Sequence, residues 1–164
     1  MKCSDSLKPT AHPKPRLSAS TAIQPEGSSC TATCFSALPH LDRAVAANAG
    51  WYTYPSDTVS YPYGAQGSGA DIKAYYGKKM IILLGDADTL RTSSLRQTPE
   101  TDAQGLTRLA RGNAFFSFCH KDAQVKGIPF NWRKEYVKGV GHSNTKMAPS
   151  AATLLFNGAT SDTE

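Results

Sequence analysis

The run Met80-Ile81-Ile82-Leu83-Leu84 contains no polar residue and stops abruptly at Gly85-Asp86-Ala87-Asp88. A strand of that character is buried on both faces, which is the mark of a parallel sheet covered by helices. A second β-prone run, Arg133 to Val137, closes on Lys138-Gly139-Val140-Gly141-His142-Ser143-Asn144. In an open parallel sheet both turns lie at the carboxyl edge, where such folds place their chemistry. One turn presents carboxylates and the other an imidazole.

The rest of the chain supplies elements around these two strands. Arg43 to Gly50 reads as a short buried strand leading into a loop, with Asn48 and Gly50 as punctuation. Trp51 to Gly69 is a long aromatic connection whose Tyr52, Tyr54, Tyr61 and Tyr63 either line a cleft or cover the core. Thr98-Pro99-Glu100-Thr101 predicts a helix start with proline at the first helical position. The stretch that follows places Leu106, Leu109, Phe115, Phe116, Cys119 and Ala123 largely on one face, interrupted by Gly105 and Gly112, before Lys126-Gly127 ends it. Lys146 to Phe156 reads as a last helix packed through Met147, Ala151, Leu154 and Leu155. Strand, helix, strand, helix in this order predicts parallel pairing with right-handed crossovers. About three strands are expected, with the Ala44 to Ala47 strand left bare on one edge.

With 164 residues there is room for one domain and a single core. The net charge of +5 is scattered and interleaved with acids, so no basic and aromatic footprint for nucleic acid forms. Cys3, Cys30, Cys34 and Cys119 have no zinc-ligand spacing. No apolar run reaches the roughly 20 residues of a membrane span, and Met1 to Arg16 lacks the apolar region of a signal peptide, so a cytoplasmic address is expected. Residues 1 to 36 are rich in Ser, Thr, Pro and Lys without either periodicity, which predicts a disordered tail. The folded domain is expected over residues 37 to 158, with 159 to 164 as a second tail.

His142 follows glycines that let the chain turn sharply, and an imidazole is suited to taking a proton from a hydroxyl and returning it to a leaving group. The acid that fixes its tautomer should come from another strand end. Asp86 and Asp88 are the candidates. Asp88 is preferred because it lies past the turn, leaving Asp86 to bind backbone donors. A histidine in a loop is most often a surface residue and a turn aspartate most often a cap; their joint placement after parallel strands favours the pair. No cofactor or metal is called for.

Five runs carry a resemblance: Asp42 to Tyr52, Leu83 to Thr89, Arg108 to Gly112, Pro129 to Arg133, and Gly139 to Asn144. Over residues 38 to 156 the chain resembles the C-terminal half of bacterial α/β-hydrolases related to dienelactone hydrolases and polyhydroxyalkanoate-depolymerase-like esterases. The resemblance implies a Ser-Asp-His triad acting on a small-molecule ester, with Asp88 and His142 as the second and third members. It further implies a serine in a G-H-S-A-G elbow upstream of the Ala44 to Ala47 strand. No such elbow exists in this chain: Ser68, Ser143, Ser28 and Ser29 all lack its glycine spacing or its place after a strand.

The neighbouring reading frame offers a reason. Read one nucleotide earlier, the codons spanning Ser20 to Ser36 admit Y-G-H-S-A-G-G-Q-F-V-H-R-Y-L-L-F, which is the string the family would place there. The expectation is therefore that residues 1 to 36 are out of frame and that the family frame resumes near Leu38. The fold class is accordingly α/β: the C-terminal part of an α/β-hydrolase parallel sheet with flanking helices and a disordered N-terminal tail. The resemblance implies a serine hydrolase of carboxylic esters that keeps the triad acid and histidine but lacks the nucleophile, so the chain as written is expected to be catalytically inactive. The alternatives are a non-catalytic module binding a small ligand, or the vestigial product of a disrupted gene. The oligomeric state is left open.

Overall fold

A computed structural model describes residues 19–22 and 43–156. Its centre is a parallel sheet of β1 (Ala19–Ala22), β2 (Arg43–Ala47), β3 (Lys79–Gly85) and β4 (Arg133–Val137), in the spatial order β1-β2-β3-β4. The register pairs Ala22 with Ala46, Ala47 with Leu83, and Gly85 with Val137. All these strands therefore end at one edge, and the turns that follow them meet there.

β3 is buried from Met80 to Gly85, as its unbroken apolar run requires. Its side chains alternate between two cores, following the period of two of a strand. On one face Ala44, Ala46, Met80, Ile82 and Leu84 pack against the helix α3 (Arg108–Lys126) through Phe115, Cys119 and Ala123. On the other, Val45, Ala47, Ile81 and Leu83 pack against the helix α4 (Asn144–Phe156) through Met147, Ala151 and Leu155. Both sets of helical positions are four residues apart, so each helix lays one stripe on the sheet. Alanines on β2 keep its neighbours close, and the larger side chains of β3 fill the space.

The helix starting at Thr98 departs from expectation. The short α2 (Pro99–Asp102) starts with Pro99 in its first turn, as anticipated, behind a reciprocal capping box of Thr98 and Thr101, but the chain then breaks at Gly105, whose φ is 143°. Leu106 falls in this break and is exposed, so it is not part of the buried face. α3 restarts behind a Thr107 cap and ends at Gly127 in the left-handed region, where glycine meets no Cβ penalty. Arg111 closes the break from within. It is fully buried and donates to the carbonyls of Gly105 at 2.6 Å and Arg96 at 2.9 Å and to Asp102 at 3.0 Å.

Two further differences concern the edges. The short helix α1 (Ile72–Gly77), capped by Asp71, brings Tyr75 and Tyr76 into the core from a stretch between the aromatic connection and β3 for which no element is expected from the sequence. β1 pairs with β2, so the Ala44 to Ala47 strand is not bare, and among the described residues four strands pair in the sheet. The disorder expected over the rest of residues 1 to 36, and the tail from 159 to 164, lie outside the described residues.

Candidate active site

The turns after β3 and β4 are tied to each other by main-chain bonds: Asp86 N–H donates to Val137 O at 3.2 Å, and Ala87 N–H to Val140 O at 3.1 Å. Asp86 takes the role expected of it, its Oδ1 accepting from Gly139 N–H at 2.6 Å. Gly139 sits at φ 68°, so the turn reverses there without strain on a side chain. Gly85 brings the two backbones into contact, since a Cβ at that position would overlap the Val140 carbonyl oxygen.

Asp88 emerges from this knot with its carboxylate 3% exposed, and its Oδ2 lies 3.4 Å from His142 Nδ1. The imidazole is 39% exposed. Nδ1 is the ring nitrogen turned towards the buried carboxylate. The buried carboxylate also faces Arg108, whose Nη1 is 4.0 Å from Asp88 Oδ1 and whose side chain is 2% exposed. Burial pushes the Asp88 carboxyl above the usual range, while the Arg108 guanidinium and the His142 imidazole pull it down. Arg108 is fixed by Ser94, donating from Nη2 to its carbonyl at 3.2 Å and its hydroxyl at 3.3 Å. The start of α3 adds one more tie, Leu109 N–H to Asp88 O at 3.3 Å.

Asn48 joins this edge from β2. Its Oδ1 accepts from Gly85 N–H at 2.7 Å and its Nδ2 donates to Gly141 O at 3.1 Å. Sequence reasoning treated Asn48 as loop punctuation and gave Arg108 no role, although both lie in runs that carry the family resemblance. The signal available was a polar residue inside an otherwise apolar context, and only long-range contacts turn that into a partner.

The aromatic loop settles mostly as cover. Tyr52 is fully buried and stacks on Phe115 at 4.5 Å, and Trp51 is buried edge-to-face with Tyr63 at 5.0 Å. Tyr54 is half-buried against Phe115 and Phe118, and its phenol is pushed up by burial; Tyr61 is exposed. A cavity of about 570 Å³ between this loop and α3 is lined by Pro55, Ala70, Phe118 and Asp122 among others, and includes neither Asp88 nor His142. Ser68 is held in a turn, its hydroxyl donating to Ala65 O at 2.7 Å. Among the described residues no helix is long and apolar enough to cross a membrane.

Solved structures similar to this chain include two hydrolases. Poly(aspartic acid) hydrolase-1 from Sphingomonas sp. KT-1 shares 42% identity at a TM-score of 0.68 over 71% of this chain and 46% of its own. LpqC, a poly(3-hydroxybutyrate) depolymerase from Bordetella parapertussis, shares 32% identity at a TM-score of 0.68 over 73% of this chain and 41% of its own. The chain thus spans less than half the length of either. No family model and no curated protein matches it. With its parallel sheet and flanking helices the chain has part of an α/β-hydrolase fold, and it is similar over about 71% of its length to these esterase-like α/β-hydrolases.

Proposed function

We propose that Asp88 and His142 are the acid and the general base of a serine-hydrolase triad, and that this chain lacks the serine they serve. The observation that carries this is the 3.4 Å approach of a buried carboxylate to the Nδ1 of a half-exposed imidazole across adjacent strand ends. In acyl transfer to water, a serine would attack an ester carbonyl. His142 would take its proton at Nε2 and return it to the leaving group, and Asp88 would hold the tautomer and offset the charge of the imidazolium. A hydrolase function on esters or polymers is in keeping with what both similar structures are named for.

The missing nucleophile is traced to the reading frame. The string G-H-S-A-G in the neighbouring frame begins across Ala22 and sets its serine across Ile23 and Gln24. β1 ends at Ala22 and runs parallel to β2, so its carboxyl end lies at the same sheet edge as the turns that carry Asp88 and His142. Such an elbow follows its strand directly. A separate binding role without turnover has no specific contact in its favour.

The test is a serine-directed fluorophosphonate probe applied to the chain as it stands, alongside the nucleotide sequence across residues 20 to 36. The expected results are no single-site labelling and codons that read G-H-S-A-G in the neighbouring frame. Robust labelling, or codons that do not admit the motif, would overturn the reading.

A further inference from the structure

We infer that Asn48 is a positioning residue that sets His142 against Asp88, a role that rests on reading those two as the acid–base pair. Asn48 sits just past β2, is 5% exposed, and holds a φ of 44°, in the left-handed region that asparagine tolerates better than other residues with a Cβ. Its backbone N–H donates to Leu83 O at 3.0 Å. The side chain then uses both ends of its amide: the oxygen accepts from Gly85 N–H at 2.7 Å and the nitrogen donates to Gly141 O at 3.1 Å. Gly85 begins the turn that ends at Asp88, and Gly141 is the residue before His142. One buried amide therefore spans the strand end that leads to the acid and the peptide that leads to the base.

The chemistry of the site calls for an amide and no other group of that size. A carboxylate in the same place keeps the acceptor for Gly85 N–H but has no donor, and its second oxygen would face the Gly141 carbonyl. A serine reaches one partner only. The bonds from Asp86 to Gly139 and from Ala87 to Val140 fix the early part of the His142 turn. The Asn48 bond is the side-chain contact on the residue adjoining the imidazole. Without it, the Gly141 carbonyl keeps its local bond from Ser143 N–H at 2.9 Å but loses its tie to β2, and the peptide before His142 can shift the ring relative to Asp88.

The experiment compares the full chain with Asn48→Asp and Asp88→Asn, labelled with ¹⁵N in histidine, with the His142 side-chain nitrogens identified by a His142→Gln control. The readout is the tautomer ratio of the neutral ring. In the parent, the Nδ1–H form is expected to predominate because the buried Asp88 carboxylate lies 3.4 Å from Nδ1. Asn48→Asp is expected to lower the ratio of Nδ1–H to Nε2–H roughly fivefold, the scale of one net hydrogen bond, while amide spectra show an intact fold. Asp88→Asn should lower it as well. If Asp88→Asn changes the ratio and Asn48→Asp does not, the positioning role is overturned; if Asp88→Asn leaves it unchanged, the acid–base reading itself has failed. Should Asn48→Asp unfold the chain, Asn48→Gly takes its place, since glycine suits the positive φ and removes both side-chain bonds. Loss of the tautomer preference in that variant sustains the inference, and unfolding of both variants overturns it by making Asn48 a purely structural residue.

Discussion

Arg108 and Asp88 lie side by side in the interior, with Nη1 4.0 Å from Oδ1 and both side chains almost fully buried, while His142 approaches the other carboxylate oxygen. The carboxylate thus has a permanent cation on one side and a titratable ring on the other. Removing it from water favours its neutral form; the guanidinium opposes that at any pH, and the imidazole opposes it only while protonated. Arg108 thereby favours the ionised form of Asp88 whether or not the ring is charged.

Replacing Arg108 with methionine should therefore destabilise the chain by about 3 to 5 kcal/mol near neutral pH, the cost of leaving one buried partner of an ion pair alone. The Ser94 carbonyl also loses its donor. Because Asp88 would escape the penalty by taking up a proton, the deficit should narrow as the pH is lowered. Urea unfolding of parent and Arg108→Met at several pH values measures this, and a deficit that does not shrink in acid would show that the carboxylate never depended on the guanidinium.

Asp88 also predicts a signed pH dependence. Its folded-state pKa is raised above the ordinary 3.8, so between those two values the folded chain holds more protons than the unfolded one, and stability falls as pH rises through that window. The penalty is absent below the ordinary value and fully present above the raised one. Asp88→Asn cannot titrate there. Its stability relative to the parent should accordingly increase across the window and level off on either side, as read from denaturant midpoints in a pH series. A difference that is flat with pH would mean that the burial of Asp88 is fully compensated by its neighbours.

What was legible in the sequence follows from range. β3 announces itself because five consecutive apolar residues have no partner but a two-sided core, and Thr98, Pro99 and Gly127 mark helix ends through local backbone chemistry alone. Asp88 and His142 were legible for a related reason, since parallel strands bring their following turns to one edge whatever lies between. Arg108, Arg111 and Asn48 were not. Each is a polar residue whose meaning is fixed by groups outside its own element, and a buried arginine is locally indistinguishable from a solvated one. The break after α2 was hidden because Gly105 is tolerated in a helix. Its left-handed conformation is stabilised by Arg111 bonding its carbonyl from the next helix. Gly112 is the reverse case: read as a weak point of α3, it is where Leu84 and the Tyr52 hydroxyl crowd the helix so closely that no Cβ fits.

Gly85 is the position where close approach bears on the site, and its substitution separates the seating of the His142 turn from the stability of the sheet. A Cβ at Gly85 would overlap the Val140 carbonyl oxygen and come within 3.1 Å of the Gly141 oxygen. Both are backbone atoms, so neither can swing aside as a flexible side chain would. Gly85→Ala should therefore cost about 1 to 3 kcal/mol by overpacking, and the turn between Val137 and His142 should lift, breaking the bond from Ala87 N–H to Val140 O. The His142 ring then moves off Asp88 and its Nδ1–H tautomer preference disappears. Gly139→Ala is the comparison: nothing lies within 4 Å of a Cβ there, and only the φ of 68° resists it, at roughly 1 to 2 kcal/mol. That variant should lose similar stability yet keep the ring against the carboxylate. Thermal unfolding and the ¹⁵N shifts of His142 in the two variants give the answer, and a Gly85→Ala chain that retains the parent tautomer would show that the turn is seated by contacts other than the bare backbone of β3.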